Sequence, residues 1–188
     1  IKLLSIFRAA PVGIGMVINR VFQEANDMLC HMTGYNREEL LGRSARMLYP
    51  TQEDYDYVGQ EKYRQISEKI TGTVETRWKR KDGTIIDIIL SSTQLDPDNL
   101  TKGVTFTALD ITEVKQAEEA LRASEEKYRS ILENIEDGYF EVALAGNMTF
   151  FNPAMCKIAN MSAEELLGMN NREYTSPETA KKMFSVFN

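Results

Sequence analysis

Side chains that could act as nucleophiles or soft metal ligands are few in this chain, namely Cys30, His31 and Cys156. A thiol beside an imidazole is a potential nucleophile and base, and thiolates with imidazole can bind zinc. Adjacent residues on a helix point in different directions, however, so His31 is badly placed to serve Cys30. Neither cysteine belongs to a Cys-x-x-Cys pair, and a lone histidine is too little for a metal site. We interpret the cysteines as small core residues and His31 as a structural or surface residue.

Motifs of known catalytic sites are also missing from the sequence. It contains no phosphate-binding loop of the Gly-x-x-x-x-Gly-Lys type and no Gly-x-Ser-x-Gly nucleophile turn. We therefore assign no catalytic residue and no metal ligand, and we expect any enzyme activity to belong to sequence outside this chain.

The charge balance excludes another class of function. The 188 residues carry a formal charge of -6, and a protein surface that neutralises nucleic-acid phosphates needs a basic patch. Apolar runs are too short to cross a bilayer, and two unpaired cysteines suit a reducing cytoplasm. The chain opens without a Met, so we expect a cytoplasmic piece of a longer protein whose other parts could include membrane segments.

An internal repeat organises the chain. Leu-Leu-Gly occurs at 40–42 and again at 166–168, an offset of 126 residues (166 - 40). Four further pairs keep this offset: Asn26 with Asn152, Cys30 with Cys156, Asn36 with Ser162, and Glu39 with Glu165. The last two pairs have the spacing of a helix capping box. Upstream, Gly13 and Gly138 differ by 125 (138 - 13), so the second copy should have one extra residue, which we place in a hairpin at 145–147.

Periodicity and turn residues predict the elements of the first copy. The order is a short helix, two strands, three helices and three strands, at 1–9, 13–18, 21–24, 26–32, 36–42, 51–70, 73–80, 84–93 and 103–109. Thr71-Gly72 is expected to end the long helix, and Asp82-Gly83 is a strong hairpin signal. Ile86 and Ile88 share one face of their strand while Asp87 lies on the other, which predicts a sheet packed on one side against helices, in the α+β class.

A long amphipathic helix follows from Thr112 to Ile135. Its apolar residues recur at alternating spacings of three and four: Val114, Ala117, Leu121, Tyr128, Ile131 and Ile135, with Ser124 in the remaining place. Such heptad spacing favours a coiled-coil homodimer, although one helix packed on its own domain would give the same pattern. The dimer is the preferred reading, because little sequence is left to cover nearly six turns.

Three segments in this order resemble the PAS family: GRSARMLYP at 42–50, KRKDG at 79–83 and DITE at 110–113. The resemblance implies a complete PAS domain at 1–112, a helical linker at 113–130 and the N-terminal part of a second PAS domain at 131–188. It further implies a five-stranded antiparallel sheet with helices on one face. The resemblance also implies that the chain comes from a bacterial or archaeal signalling protein.

Known cofactors of this family fit the sequence poorly. In flavin photosensors of the LOV type the first segment carries a reactive cysteine, and Ala45 stands in its place here, with Ser44, Met47 and Tyr49 also departing from the pattern. Haem-binding members take an axial histidine from the long helix, and 51–70 contains none. We expect neither cofactor, and the cofactor remains unknown.

The resemblance also points to two groups of functional residues. A ligand cavity between the long helix and the sheet would be lined by Met47, Tyr63, Trp78, Ile86 and Ile88, which could equally fill the core or surround a small apolar ligand. Asp110, Ile111 and Thr112 join the last strand to the linker helix. Asp110 or Thr112 can cap that helix, so a shift of the strand would move it directly.

Together these features predict a sensor of an unidentified cue that signals through the linker helix to an attached output domain. We expect a histidine kinase of a two-component system as the output, with a cyclic-dinucleotide enzyme or a transcription regulator as alternatives. The competing hypothesis is a structural dimerisation module that senses nothing.

Overall fold

The computed structural model describes residues 2–69, 71–96, 102–170 and 173. The chain divides into two compact units, Ile1–Glu118 and Glu119–Asn188. The domain limits given above at 112/113 and 130/131 stay a prediction.

The first unit contains four α-helices and five strands within the described residues. The helices are α1 (Lys2–Ala9), α2 (Asp27–Thr33), α3 (Arg37–Leu40) and α4 (Gln52–Lys69), with a 3-10 turn at Ala45–Leu48. The strands are β1 (Gly13–Ile18), β2 (Val21–Ala25), β3 (Thr71–Lys79), β4 (Ile85–Gln94) and β5 (Val104–Asp110). Helix α5 (Thr112–Asn134) follows β5 after a single residue.

The strands form one antiparallel sheet in the order β2-β1-β5-β4-β3. The last strand along the chain therefore lies in the centre, between β1 and β4, and leads directly into α5. The predicted α+β class with a five-stranded antiparallel sheet is confirmed.

Alternation along the strands creates the core. In β4 the even-numbered residues from 86 to 92 are buried and the odd-numbered ones are partly exposed, as expected when successive side chains point to opposite faces. The buried face packs with α2 and α4 into one apolar cluster, whose large members include Phe22, Leu29, Leu40, Leu48, Trp78, Ile88 and Phe106. Among the described residues no helix is long and apolar enough to cross a membrane.

The second unit repeats the opening of the first. Strands β6 (Phe140–Val142) and β7 (Met148–Phe151) pair antiparallel and are followed by α6 (Pro153–Ala159) and α7 (Ala163–Leu166). The three residue pairs of β6 with β7 match the first three pairs of β1 with β2, including the irregularity after the second pair. Because β6 keeps the offset of 125 and β7 that of 126, the extra residue lies in the connection 143–147, where the hairpin insertion was predicted.

The strand after α4 begins two residues earlier than predicted. Helix α4 ends at Lys69, before Thr71 as expected, but Thr71 and Gly72 already belong to β3, where they pair with Thr93 and Ser92. Glycine is needed at 72 because a Cβ there would lie 2.6 Å from the carbonyl oxygen of Lys62. The signal that resembled a helix stop reflects the close approach of α4 to β3.

A buried asparagine links the segments at the start of each unit. Asn26 is fully buried and caps α2 by accepting from the amide of Leu29 at 2.8 Å. Its Oδ1 also accepts from the Ile14 amide at 2.9 Å, and its Nδ2 donates to the carbonyls of Phe7 and Val12 at 3.0 Å each. The sequence predicted the cap but not the other three bonds.

The second unit repeats each hydrogen bond of this network. Asn152 accepts from the amides of Met155 and Tyr139 and donates to the carbonyls of Leu132 and Asp137, all at 2.8–3.1 Å. Leu132 lies in α5. In the second unit α5 therefore occupies the place that α1 has in the first.

We predict that Asn26→Ala lowers the free energy of unfolding of the first unit by about 3 kcal/mol or more, because it leaves buried amides and carbonyls without partners. Denaturant unfolding followed by the fluorescence of Trp78, the only tryptophan, reports on this unit alone. The control is Asn36→Ala, which alters an exposed cap and should cost about 1 kcal/mol. Equal losses in the two variants would contradict the importance assigned to the buried network.

Candidate functional site

The junction between β5 and α5 is held by the side chain of Asp110. Its Oδ1 accepts from the amide and the hydroxyl of Thr112, at 3.0 and 2.5 Å, and its Oδ2 accepts from Nη2 of Arg80 at 2.8 Å. Partial burial acts to raise the pKa of Asp110, but the hydrogen bonds from Thr112 and Arg80 outweigh it and hold the pKa below its ordinary value. The carboxylate is therefore ionised at the positive end of the α5 dipole.

Thr112 and Ile111 connect the same helix to the neighbouring strand. The Thr112 hydroxyl accepts from the Asp87 amide of β4 at 2.9 Å, and the Ile111 amide donates to the Asp87 carbonyl at 2.9 Å. The carbonyl of Ile111 accepts from the amide of Lys115, which closes the first turn of α5. Of the two residues suggested as a cap, Asp110 holds the helix end, while Thr112 ties the helix to β4.

Two further residues complete this junction, and the sequence analysis did not name them as functional. Nζ of Lys115 lies 3.1 Å from Oδ1 of Asp87 and 3.0 Å from Oε2 of Glu75. Arg80, from the KRKDG segment, forms the ion pair with Asp110 across the sheet. Opposite charges at 80 and 110 were visible in the two motifs, but their pairing depends on strand order, which no local pattern contains.

This arrangement can transmit a displacement mechanically. The first turn of α5 is hydrogen-bonded to the end of β5 and to Asp87 near the start of β4, so neither strand can shift without changing the geometry at the helix start. The role of Asp110, Ile111 and Thr112 in signal transfer stays a prediction.

The predicted cavity residues lie mostly within the core. Trp78, Ile86 and Ile88 are at most 3% exposed and belong to the apolar cluster, and Met47 packs against it while half-buried. The side chain of Tyr63 lies outside the described residues. Trp78, Ile86 and Ile88 share the inner face of the sheet. Contact of the predicted residues with a ligand stays a prediction.

A polar cluster beside these residues was missed by the sequence analysis. Arg20 in the β1–β2 turn places its guanidinium carbon 3.2 Å from the ring centroid of Tyr55 and donates to the Tyr55 carbonyl at 2.6 Å. Lys62 of α4 is only 5% exposed. A signal did exist, since Lys62 lies between Val58 and Ile66 at spacings of four, a cation within the apolar stripe of the helix.

The candidate nucleophiles take no part in either site. Cys30 is half-buried against the core, and burial raises the pKa of its thiol, which keeps it protonated. Cys156 is half-buried in α6, and His31 is exposed. Within the described ranges, no three His, Cys, Asp or Glu side chains are grouped so as to hold a metal.

We predict that Lys62→Met stabilises the first unit at pH 7 by about 3 kcal/mol. Burial, and then the charge of Arg20, lower the pKa of Lys62 from 10.5 to about 8, so the unfolded chain binds the proton more tightly than the folded one. The destabilisation by the wild-type ammonium is thus complete below pH 8 and disappears as the pH rises past 10.5. Denaturant unfolding of both proteins at pH 7 and pH 10 measures this difference, and a stability gap independent of pH would contradict it.

Comparison with known proteins agrees with this architecture. A family model described as PAS domain matches residues 11–113, and another described as PAS fold matches residues 126–187. Solved PAS domains from Burkholderia thailandensis and Colwellia psychrerythraea both superpose with a TM-score of 0.55, at 23% and 21% identity. They cover 59% and 60% of this chain, and the chain covers 98% and 96% of them, a likeness that shows the fold.

A curated relative adds functional context. The sensor protein TdiS of Thauera aromatica is 36% identical over 122 residues, which is 65% of this chain. The chain spans only 22% of the length of that relative. These findings support a sensory signal-transduction module. With a PAS model matching more than half of its residues, and a second covering most of the remainder, the chain belongs to the PAS domain family.

Proposed function

We propose that this chain is the sensory region of a signalling protein, in which the first PAS domain receives a cue and α5 carries the response onward. The observation that supports it is the attachment of α5 to β4 and β5 through Asp110 and Thr112. Thr112 is hydrogen-bonded to Asp110 of β5 and to Asp87 of β4, so a change in either strand acts directly on the start of α5. The cue is a small molecule held on the inner face of the sheet, near Trp78.

The other end of α5 enters the second unit. The carbonyl of Leu132 accepts from Nδ2 of Asn152 at 3.1 Å, so the helix is a structural part of the second unit as well as an extension of the first. The 23 residues of α5 include neither Gly nor Pro, and the pair of Arg122 with Glu126 supports its exposed surface. A helix of this kind transmits rotation or translation along its length.

We further propose that α5 pairs with α5 of a second copy. Val114, Leu121 and Tyr128 are separated by seven residues each and are 57%, 62% and 63% exposed. Ile135 continues the series after another seven residues. Large apolar groups at heptad spacing on an exposed helix favour burial in a two-stranded coiled coil.

For the output we propose a histidine kinase attached to the same chain in the cytoplasm, as in the signalling proteins that these motifs resemble. In this proposal the described region is not itself catalytic and does not contact nucleic acid. A cyclic-dinucleotide enzyme or a transcription regulator as output would use the same helix.

Leu121→Glu should convert a dimer into a monomer, because it places two carboxylates in the proposed helix seam. Sedimentation analysis is expected to give twice the 21.4 kDa chain mass for the wild type and the single mass for the variant. Ala123→Glu is the control. Position 123 points away from the seam, so this variant should remain dimeric. A monomeric wild type, or an equal effect of both variants, would rule out this dimer.

Thr112→Val tests the coupling between sheet and helix. The variant keeps the size of the side chain but removes the acceptor for the Asp87 amide, so hydrogen exchange at the start of α5 and at Asp87 should accelerate about tenfold, with roughly 1 kcal/mol lost in stability. Thr107→Val, at an exposed position of β5, is the matched control and should leave both rates unchanged.

In the full-length parent the same Thr112→Val substitution should abolish the response of the output activity to the cue while the domain stays folded. A parent that responds normally despite the faster exchange would contradict signal transfer through this junction. It would favour the module that only dimerises.

A further inference from the structure

The cluster around Arg20 has no part in holding α5. Arg20 stands in the two-residue turn between β1 and β2 with a φ of 62°, a conformation uncommon for a long side chain. The turn is fixed by the Ala45 amide, which donates to the Arg20 carbonyl at 2.8 Å. The guanidinium stacks on Tyr55 and reaches α4.

Helix α4 is shaped to receive this guanidinium. A Cβ on Gly59 would lie 2.7 Å from Nη1 of Arg20, so the glycine lets the guanidinium lie directly against the helix. Lys62 is almost one turn further along the same helix and is buried between α4 and β3, with its Cγ 3.2 Å from the Cβ position of Gly72. The positive charge of Arg20 is close enough to Lys62 to lower the pKa of its ammonium.

Two further hydrogen-bond donors belong to the cluster. Tyr49 and Trp78 are each 3% exposed, and their ring centroids are 6.4 Å apart. Nε1 of Trp78 makes no hydrogen bond within the described part of the chain, although the indole is close enough to act on the pKa of the Tyr49 hydroxyl. The Tyr49 ring also lies 6.0 Å from the guanidinium carbon of Arg20.

We propose that Arg20, Tyr49, Lys62 and Trp78 bind the carboxylate of a small organic acid whose apolar body packs against the aromatic rings of the same cluster. The organic acid is then the cue of the proposed sensor, so this ligand class rests on the proposed function. An ammonium, a guanidinium, an indole N–H and a phenol O–H can all donate, and a carboxylate offers about four acceptor positions.

Charge and shape favour an organic acid over other ligands. The charges of the buried Lys62 and the half-buried Arg20 repel, and a bound anion offsets both this repulsion and the lost hydration of Lys62. The rings of Tyr49, Tyr55 and Trp78 provide apolar walls that suit a hydrocarbon body rather than a strongly hydrated inorganic ion. A guanidinium also binds a carboxylate through two parallel hydrogen bonds.

The test uses the whole chain and sodium benzoate and sodium butyrate as probes, against sodium chloride at equal ionic strength. Because Trp78 is the only tryptophan, its indole N–H resonance in NMR spectra reports on the site alone. At least one of the two acids should shift this resonance in a saturable manner. Lys62→Met and Arg20→Asn should each weaken binding about 10- to 100-fold, since each removes a charged hydrogen bond.

Lys69→Met is the control, because Lys69 is an exposed lysine of the same helix and its loss should leave the affinity unchanged. Absence of a saturable shift with both acids up to about 50 mM, well above ordinary ligand affinities, would overturn the site, as would unchanged binding by Lys62→Met. Binding of inorganic phosphate but neither acid would overturn the ligand class. Acid binding that leaves hydrogen exchange at the start of α5 unaltered would instead refute the sensory function and leave the site standing.

Discussion

Each unit depends on one buried amide that joins three segments of the chain. Asn26 uses both hydrogens and two acceptor directions of its side chain to hold the preceding helix, the start of β1 and the N-terminus of α2. Because every one of these bonds is to the backbone, the side chain fixes where the main chain runs and leaves neighbouring side chains free to vary. The equivalent bonds of Asn152 show that the two units share this construction although one hairpin is longer.

A consequence concerns the helix between the units. Since Asn152 requires a helical carbonyl at the position of Leu132, α5 is not an optional spacer but an element that the second unit needs for its own network. Its first turn is equally required by the first unit, where Asp110 and Thr112 bind it. One helix thus satisfies the hydrogen-bonding demands of two domains, which makes its integrity part of the stability of both.

Local patterns predicted what local physics determines. The cap at Asn26, the Asp82-Gly83 turn and the alternation along β4 follow from propensities within a few residues, and all three were foreseen. The start of β3 was placed two residues late, because a glycine needed for the approach of α4 to β3 looks the same in sequence as one in a turn after a helix. The pairing of Arg80 with Asp110, and of Arg20 with Tyr55, depends on which strands and helices become neighbours, so spacing alone could not reveal it.

The proposed ligand site and the junction with α5 are connected through the paired strands β3 and β4. Trp78 on β3 pairs with Ile86 on β4, and Asp87 is the next residue. Ile86 faces the core, whereas Asp87 holds Ile111 and Thr112 at the start of α5. Since adjacent residues of a strand share one backbone, a ligand that displaces β4 from the core side necessarily displaces Asp87 and the hydrogen bonds that anchor α5. Burial lowers the pKa of Lys62, so its ammonium opposes folding, and the proposed ligand site coupled to α5 gives a physical reason for a lysine at this position.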